Sequence, residues 1–173
     1  MTADDLKNAI RDVPDFPKPG IVFKDITPVL GDPELFQASI RLLAETAGET
    51  KIDKVVGIDA RGFIFAAGVA QFLGAGFVPV RKKGKLPWTT HEMAYSLEYG
   101  EDCVEIHADA IKPGERVLLI DDLLATGGTA SAALKLLKAL DADLVSASFL
   151  IELSFIGGRE KLQCPLVQSL ISY

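Results

Sequence analysis

The segment from Val117 to Thr129 combines an apolar run, two adjacent carboxylates and a loop of small residues. The run Val117–Ile120 is typical of a buried strand, and Asp121 and Asp122 follow at the end where open α/β sheets bind ligands. The loop then opens a helix, so its main-chain N–H groups form a concave site for an anion. The loop residues are Ala125, Thr126, Gly127, Gly128 and Thr129.

Each half of this segment indicates a different part of a ligand. The loop suits a phosphate, whereas carboxylates repel phosphate and suit hydroxyl groups or a magnesium ion bound through water. A phosphate beside a vicinal diol, as in ribose 5-phosphate, fits both halves. The structural alternative is a surface turn rich in glycine and aspartate. Neither G-x-G-x-x-G nor G-x-x-x-x-G-K-[ST] occurs, so the usual dinucleotide and Walker loops are not indicated.

The bulk properties predict one soluble globular domain covering residues 1–173, with 49% hydrophobic and 24% charged residues. A net charge of −6 argues against nucleic acid as the main partner. No apolar run approaches the roughly 20 residues that span a bilayer, and the first residues lack a signal core. Cys103 and Cys164 have no metal-ligand spacing, so we expect reduced thiols in a cytoplasmic protein.

Hydrophobic periodicity predicts alternating strands and helices. A short helix over 3–12 precedes the proline-rich segment 14–28, and Asp32 with Pro33 marks the start of a longer helix. The later strands are predicted at 54–59, 76–80, 116–120 and 144–151, and the later helices at 63–73 and 130–140. Alternating residues at 95–99 and 103–107 indicate an antiparallel arm. The fold class is therefore α/β, with a mostly parallel central sheet flanked by helices.

The Val117–Thr129 segment resembles the phosphoribosyl-pyrophosphate (PRPP) motif of the type I phosphoribosyltransferases. Other stretches, in the same order along the chain, are similar to the members that act on adenine. These stretches are Phe16–Pro28, Asp59–Phe63, Arg81–Pro87, Tyr95–Gly100 and Gly158–Leu162. The resemblance implies the type I phosphoribosyltransferase fold and the transfer of phosphoribose from PRPP to adenine, which gives AMP and pyrophosphate.

The resemblance also implies roles for residues in the PRPP site. Asp121 and Asp122 would contact the ribose hydroxyls, and Mg²⁺ would be held mainly by PRPP oxygens and water rather than by direct protein ligands. Arg61, Arg81, Lys82, Lys85 and Tyr99 would complete the PRPP site, with the cations facing pyrophosphate. For Arg61 and for the run 81–85, the alternative is a solvated surface position. The Asp59–Ala60 peptide bond is where this family often has a cis peptide.

The adenine site is expected in a small hood formed by residues 1–30 and the C-terminal segment. Phe23 would stack on the base, and the main chain of Val22 and Lys24 would pair with its edge; the alternative is that this stretch is simply core. Many relatives have arginine in place of Lys24, so a guanidinium contact is not expected here. Glu98 is the predicted catalytic acid–base residue, and its alternative is a solvated carboxylate on an exposed strand.

The same resemblance implies a flexible loop at about 82–97 that closes over the substrates, and a homodimer. His91 lies in that loop and is a weaker candidate base than Glu98. Two rival functions stay open at this stage. One is transfer to another base, such as xanthine or hypoxanthine, and the other is a non-catalytic regulator that senses PRPP. The hood argues against the first, and the absence of an added basic or helix-turn-helix segment argues against the second.

Overall fold

The chain folds into nine β-strands and five α-helices, and the computed structural model describes every residue from Met1 to Tyr173. The strands are β1 (Arg11–Pro14), β2 (Val22–Asp25), β3 (Lys54–Ile58), β4 (Gly76–Lys82), β5 (Thr90–Ser96), β6 (Glu101–His107), β7 (Arg116–Leu124), β8 (Asp143–Glu152) and β9 (Val167–Ser172). The helices are α1 (Ala3–Ala9), α2 (Thr27–Gly31), α3 (Pro33–Glu45), α4 (Arg61–Leu73) and α5 (Gly128–Ala139), with 3₁₀ turns at Ser154–Ile156 and Gly158–Lys161. None of the helices has both the length and the apolar character needed to cross a bilayer.

Seven strands form one sheet in the order β5-β6-β4-β3-β7-β8-β9. The pairs from β4 through β9 are parallel, while β6 pairs antiparallel with β4 and β5. This arrangement confirms the predicted fold class. Two further strands, β1 and β2, form a separate antiparallel hairpin, which occupies the region predicted to be the hood.

Helices cover both faces of the sheet. Alternate residues of each strand point to opposite faces, so the same strand contributes side chains to the core on both sides. Val117 and Leu119 of β7 pack in the cluster that contains α5, whereas Leu118 and Ile120 pack in the cluster that contains α3 and α4. All four side chains are fully buried. Each buried aliphatic side chain of this size contributes about 1.5–3 kcal/mol, so the strand that precedes the acidic pair is firmly anchored.

Helix boundaries near the N-terminus agree only in part with the sequence. Asp32 caps α3 as predicted, since its Oδ1 accepts hydrogen bonds from the N–H groups of Glu34 and Leu35 at 2.9 and 3.0 Å. The predicted helix 3–12 was too long: α1 ends at Ala9. The residues after it, Arg11–Pro14, are held in extended form by pairing with β2.

Strand β7 is longer than predicted and runs through the acidic pair to Leu124. The expectation that Asp121 and Asp122 follow the strand was therefore wrong. Pairing with β3 stops at Ile120, whereas pairing with β8 continues to Leu124. The two aspartates thus lie where one edge of β7 is open, and this opening is the cleft described below.

Other strands also differ from the sequence analysis, among them β4, β5 and β9. β5 covers Thr90–Ser96, so it begins five residues before the predicted strand 95–99. Part of the predicted flexible loop is therefore paired with β6. β9 was missed, because its mixed sequence of serine, glutamine and aliphatic residues has no strong apolar run. β4 continues to Lys82, two residues beyond its predicted end, and β6 pairs with it at Arg81 and Lys82.

Candidate functional site

A cleft of about 240 Å³ lies at the carboxyl ends of β3 and β7. It is lined by Ile58, Asp59, Ala60, Arg61, Lys82 and the whole stretch 121–130. The structure therefore brings together the acidic pair, the small-residue loop and two of the predicted cations. This is the carboxyl edge of a parallel sheet, where the fold class places ligand sites.

The loop 125–129 has the shape expected of an anion site. Gly127 caps α5 with φ of 81°, a left-handed conformation that side chains other than glycine rarely adopt. Its carbonyl accepts the N–H of Ser131 at 2.9 Å, which begins the helix. The preceding residue, Thr126, is exposed to solvent. A phosphate at this helix start would meet free N–H groups and the Thr126 hydroxyl.

The main chain at a second glycine, Gly158, packs directly against this loop. A Cβ atom added to Gly158 would lie 2.1 Å from the Ala125 carbonyl oxygen, and one added to Gly127 would lie 2.5 Å from the Gly158 oxygen. The two main chains are therefore in direct contact. The sequence analysis gave Gly158 no role, although the Gly157-Gly158 pair is a signal for close backbone approach.

The acidic pair is held by α4. Arg61 Nε lies 2.8 Å from Asp122 Oδ2, and Asp121 Oδ1 accepts the N–H of Asp122 at 2.9 Å. A Cβ on Gly62 would approach Asp121 Oδ1 to 2.4 Å, so a larger residue there would displace the Asp121 carboxylate. Burial, and then the neighbouring Asp122 carboxylate, raise the pKa of Asp121 well above its usual value. The site therefore concentrates negative charge that a cation or hydroxyl donors would stabilise.

We expect Asp121→Asn to raise thermal stability near pH 7. A carboxyl whose pKa is raised in the folded state stabilises the protein below its unfolded pKa, near 3.8, and loses that contribution as pH rises through the folded pKa. The difference in Tm between variant and wild type should therefore grow above pH 4 and then level off. In a chain of this size, each kcal/mol corresponds to about 2–4 °C.

Melting curves between pH 4 and 8 measure this difference, with the exposed Asp109→Asn as the control. A constant difference across this range would contradict the assigned pKa.

The predicted cations are all paired with carboxylates. Arg81 Nε is 3.0 Å and Lys85 Nζ 3.7 Å from Asp59 Oδ2, so both side chains gather at the end of β3. Lys82 pairs with Asp102, and its Nζ lies 2.7 Å from the Tyr95 hydroxyl. The sequence analysis assigned no role to Asp59, Asp102 or Tyr95.

The turn after β3 contains the cis peptide bond expected from the resemblance, between Asp59 and Ala60. Arg61 follows directly and starts α4. Its guanidinium was expected to face pyrophosphate, but here it pairs with Asp122. Both groups line the same cleft, so a ligand that enters would meet this pair first.

The β1–β2 hairpin brings the predicted base-binding residues to the cleft. Phe23 connects the hairpin to the cleft, because the Arg61 guanidinium carbon lies 5.3 Å from the centre of the Phe23 ring. Phe16 packs edge-on against the same ring. The main-chain N–H and C=O groups of successive residues in a strand point to opposite edges. Those of Val22 and Lys24 therefore point to the same edge of β2. β2 pairs only with β1, which leaves its other edge free.

Glu98 and Tyr99 do not line the cleft. They lie in the turn between β5 and β6 rather than on a strand, and Tyr99 is 85% exposed. The turn closes with the Leu97 N–H donating to the Gly100 carbonyl at 2.9 Å. The end of β5 nevertheless lies close to the loop of the cleft. A Cβ atom built on Gly128 of that loop would be 3.7 Å from the Ser96 carbonyl oxygen.

Comparison with known proteins agrees with the geometry of the site. A profile of the phosphoribosyl transferase domain matches residues 27–156. Adenine phosphoribosyltransferase from Acidothermus cellulolyticus is 59% identical over 162 residues, which cover 94% of this chain and 92% of that protein. The enzyme of the same name from Agrobacterium fabrum is 56% identical over 163 residues, covering 94% of this chain and 91% of that protein.

Solved structures show the same similarity. Adenine phosphoribosyltransferase from Thermoanaerobacter pseudethanolicus superposes with a TM-score of 0.95 at 51% identity and covers 99% of this chain and 100% of its own. The Saccharomyces cerevisiae enzyme, solved with an imino-altritol bisphosphate and adenine, gives a TM-score of 0.89 at 45% identity, with 95% and 96% coverage.

Proposed function

This chain belongs to the adenine phosphoribosyltransferase family, and on that basis we propose how its residues carry out the reaction. The enzyme transfers the phosphoribosyl group of PRPP to adenine and releases AMP and pyrophosphate. The observation that best supports the roles below is the composition of the cleft. It combines a loop suited to phosphate, an acidic pair of which Asp122 is buried, and paired cations beside the aromatic residue of the hood.

We place the 5-phosphate of PRPP on the loop 125–129 and its ribose hydroxyls at Asp121 and Asp122. The N–H groups at the start of α5 and the Thr126 hydroxyl would donate to the phosphate. The Arg61 guanidinium pairs with Asp122. When PRPP is bound, its guanidinium would turn to pyrophosphate, for which a planar group with several donors is well suited.

Thr126→Val is expected to weaken PRPP binding by about 1.5–3 kcal/mol, the usual contribution of a hydrogen bond to a charged group. Valine has nearly the same shape, so the loop should keep its conformation. Calorimetric titration with PRPP measures the change, and Thr50→Val, in the exposed turn after α3, is the matched control. Unchanged affinity would show that the Thr126 hydroxyl does not contact the phosphate.

The acidic pair also fits Mg²⁺, which prefers carboxylate oxygens and keeps several of its waters. PRPP oxygens and water would mainly hold the ion, with Asp121 and Asp122 reaching it only through water, because neighbouring strand residues point to opposite faces. Bound there with PRPP, Mg²⁺ would neutralise charge on the departing pyrophosphate. Arg81, Lys82 and Lys85 would add positive charge on the same side.

We place adenine between Phe23 and the ribose, with its edge along the main chain of Val22 and Lys24. The bond between ribose C1 and the pyrophosphate oxygen breaks as adenine N9 forms its bond to C1. Glu98 would accept the proton that adenine loses. Its turn would have to approach the cleft, which agrees with a loop at 82–97 that closes over the substrates and excludes water; Tyr99 would contact PRPP in the closed state.

An assay of pyrophosphate release with PRPP and each purine in turn tests the function as a whole. We expect turnover with adenine in the presence of magnesium, and little with hypoxanthine, xanthine or guanine. Turnover with a different purine would reassign the base and leave the PRPP site in place. Binding of PRPP without release of pyrophosphate, whatever the base, would favour a PRPP-sensing regulator.

We also propose a homodimer and a cytoplasmic location. The proposed interface uses exposed apolar side chains of α4 and β4, where Phe72 is 59%, Ile64 40% and Phe77 38% accessible. Sedimentation of the wild type and of Phe72→Glu tests this surface. Cys103 and Cys164 are both free, which suits a reducing compartment. The net charge of −6 does not favour nucleic acid as a partner.

A further inference from the structure

Two lysine side chains contact the aromatic ring of Tyr173. Lys24 Nζ is 3.8 Å from the ring centre and Lys7 Nζ is 4.9 Å from it. The Lys24 contact is the shortest of the four contacts between cations and rings in the protein. One of these lysines belongs to α1 and the other to β2, so a single ring contacts two elements of the hood.

The position of Tyr173 is fixed by the central sheet. Its N–H donates to the Glu152 carbonyl at 3.0 Å, and its own carbonyl accepts from the Ser154 N–H at 3.0 Å and the Ser154 hydroxyl at 2.6 Å. The ring also packs against the buried cluster formed by α1, α3 and α4. The main chain of Tyr173 is therefore fixed beside the central sheet, and its ring contacts the hood.

Lys24 is held at the same time by Asp12. Its Nζ lies 2.6 Å from Asp12 Oδ1, and the lysine side chain is only 14% exposed. Asp12 and Lys24 also face each other in the β1–β2 register. Burial, and then the Asp12 carboxylate, raise the pKa of Tyr173, so the phenol stays neutral and the face of the ring attracts the ammonium group.

We propose that Tyr173 is a positioning residue for the adenine site, acting through Lys24. The β1–β2 hairpin is not part of the central sheet, and most of residues 14–22 are exposed. The contact between Lys24 and Tyr173 fixes this hairpin to β9, and thereby sets the distance from the β2 edge to the PRPP cleft. Lysine suits this contact because its stem is flexible and its ammonium is a compact charge. The proposal rests on the proposed function, because it assigns the base to this edge.

Three variants test this role in the full-length protein. Tyr173→Leu keeps apolar bulk but removes the ring face, and Lys24→Met keeps the stem but removes the charge. Tyr173→Phe is the matched control, since the Tyr173 hydroxyl makes no hydrogen bond within the protein and the ring is retained. We expect Tyr173→Leu and Lys24→Met each to raise the KM for adenine by about 2- to 30-fold, the range for a contact of this kind.

The KM for PRPP should stay unchanged in these variants, and Tyr173→Phe should behave as the wild type. In hydrogen exchange, the amides of Val22–Asp25 should lose protection in Tyr173→Leu, while those of β7 keep theirs. The double variant should show less than the sum of the two single effects, because both remove the same contact.

An unchanged KM for adenine, an equal rise for both substrates, or an equal effect of Tyr173→Phe would each overturn the proposal. If Tyr173→Leu does not fold, Lys24→Met decides. A wild-type protein inactive with adenine would refute the proposed function instead, and the exchange measurement would still decide whether Tyr173 fixes the hairpin.

Discussion

Glu98→Gln is expected to lower kcat by about 10²- to 10⁴-fold, the range for a positioned acid–base group, while the affinity for PRPP changes little. Glutamine keeps the size and the hydrogen-bonding oxygen of the side chain but cannot take up a proton. Glu98 lies in the exposed turn between β5 and β6, and no ion pair or hydrogen bond holds its side chain. Its substitution should therefore leave the fold and the PRPP cleft intact.

Glu101→Gln is the matched control, because Glu101 is exposed at the start of β6, three residues from Glu98. It should turn over like the wild type, and His91→Ala should keep most activity. Steady-state kinetics with adenine, together with a PRPP titration of each variant, separate catalysis from binding. Near-normal turnover of Glu98→Gln would return Glu98 to the role of a solvated carboxylate, and a collapse of kcat in His91→Ala would identify the other base.

The second large effect concerns the choice of base: kcat/KM for adenine should exceed that for hypoxanthine by about 10²- to 10⁴-fold. Adenine has an amino donor at C6 and an acceptor at N1, whereas hypoxanthine has the reverse. A carbonyl of the β2 edge, such as that of Val22, would accept from the amino group, and an N–H, such as that of Lys24, would donate to N1. With hypoxanthine, both pairs are mismatched, and each mismatch costs about 1–3 kcal/mol.

Side-chain variants distinguish main-chain recognition from stacking. Lys24→Ala should lose activity but keep the preference for adenine, because the main chain is unchanged. Phe23→Ala should raise the KM for adenine more than that for PRPP, whereas Phe155→Ala, exposed outside the hood, should alter neither. Comparable kcat/KM for the two bases in the wild-type enzyme would contradict this account and favour a different substrate.

Local patterns were sufficient to predict most of the fold. The buried run Val117–Ile120 and the cap at Asp32 depend on neighbouring residues, and both appear in the structure as predicted. The extension of β7 through the acidic pair depends instead on pairing with β8 and on Arg61, which are distant in sequence. β9 has a weak pattern because it lies at the edge of the sheet, where one side has no strand.

The site shows the same division. The small-residue loop and the acidic pair were found because they are contiguous in sequence, and the structure places them in one cleft. The gathering of Arg81 and Lys85 around Asp59 could not be predicted, since it requires β3 and β4 to lie side by side. The contact of Gly158 with the Ala125 carbonyl likewise joins two remote segments. Contacts between residues that are distant in sequence form only once the strands of the sheet lie side by side.

The ion pairs in and beside the cleft set a condition on any anion that binds there. Arg61, Arg81, Lys82 and Lys85 each already face a carboxylate of the protein. A single phosphate or sulfate must displace a carboxylate that is held nearby at high effective concentration, and it gains few contacts in return. A ligand with two separate anionic groups replaces several partners at once. The pairing therefore favours a ligand with two anionic groups over a single inorganic anion.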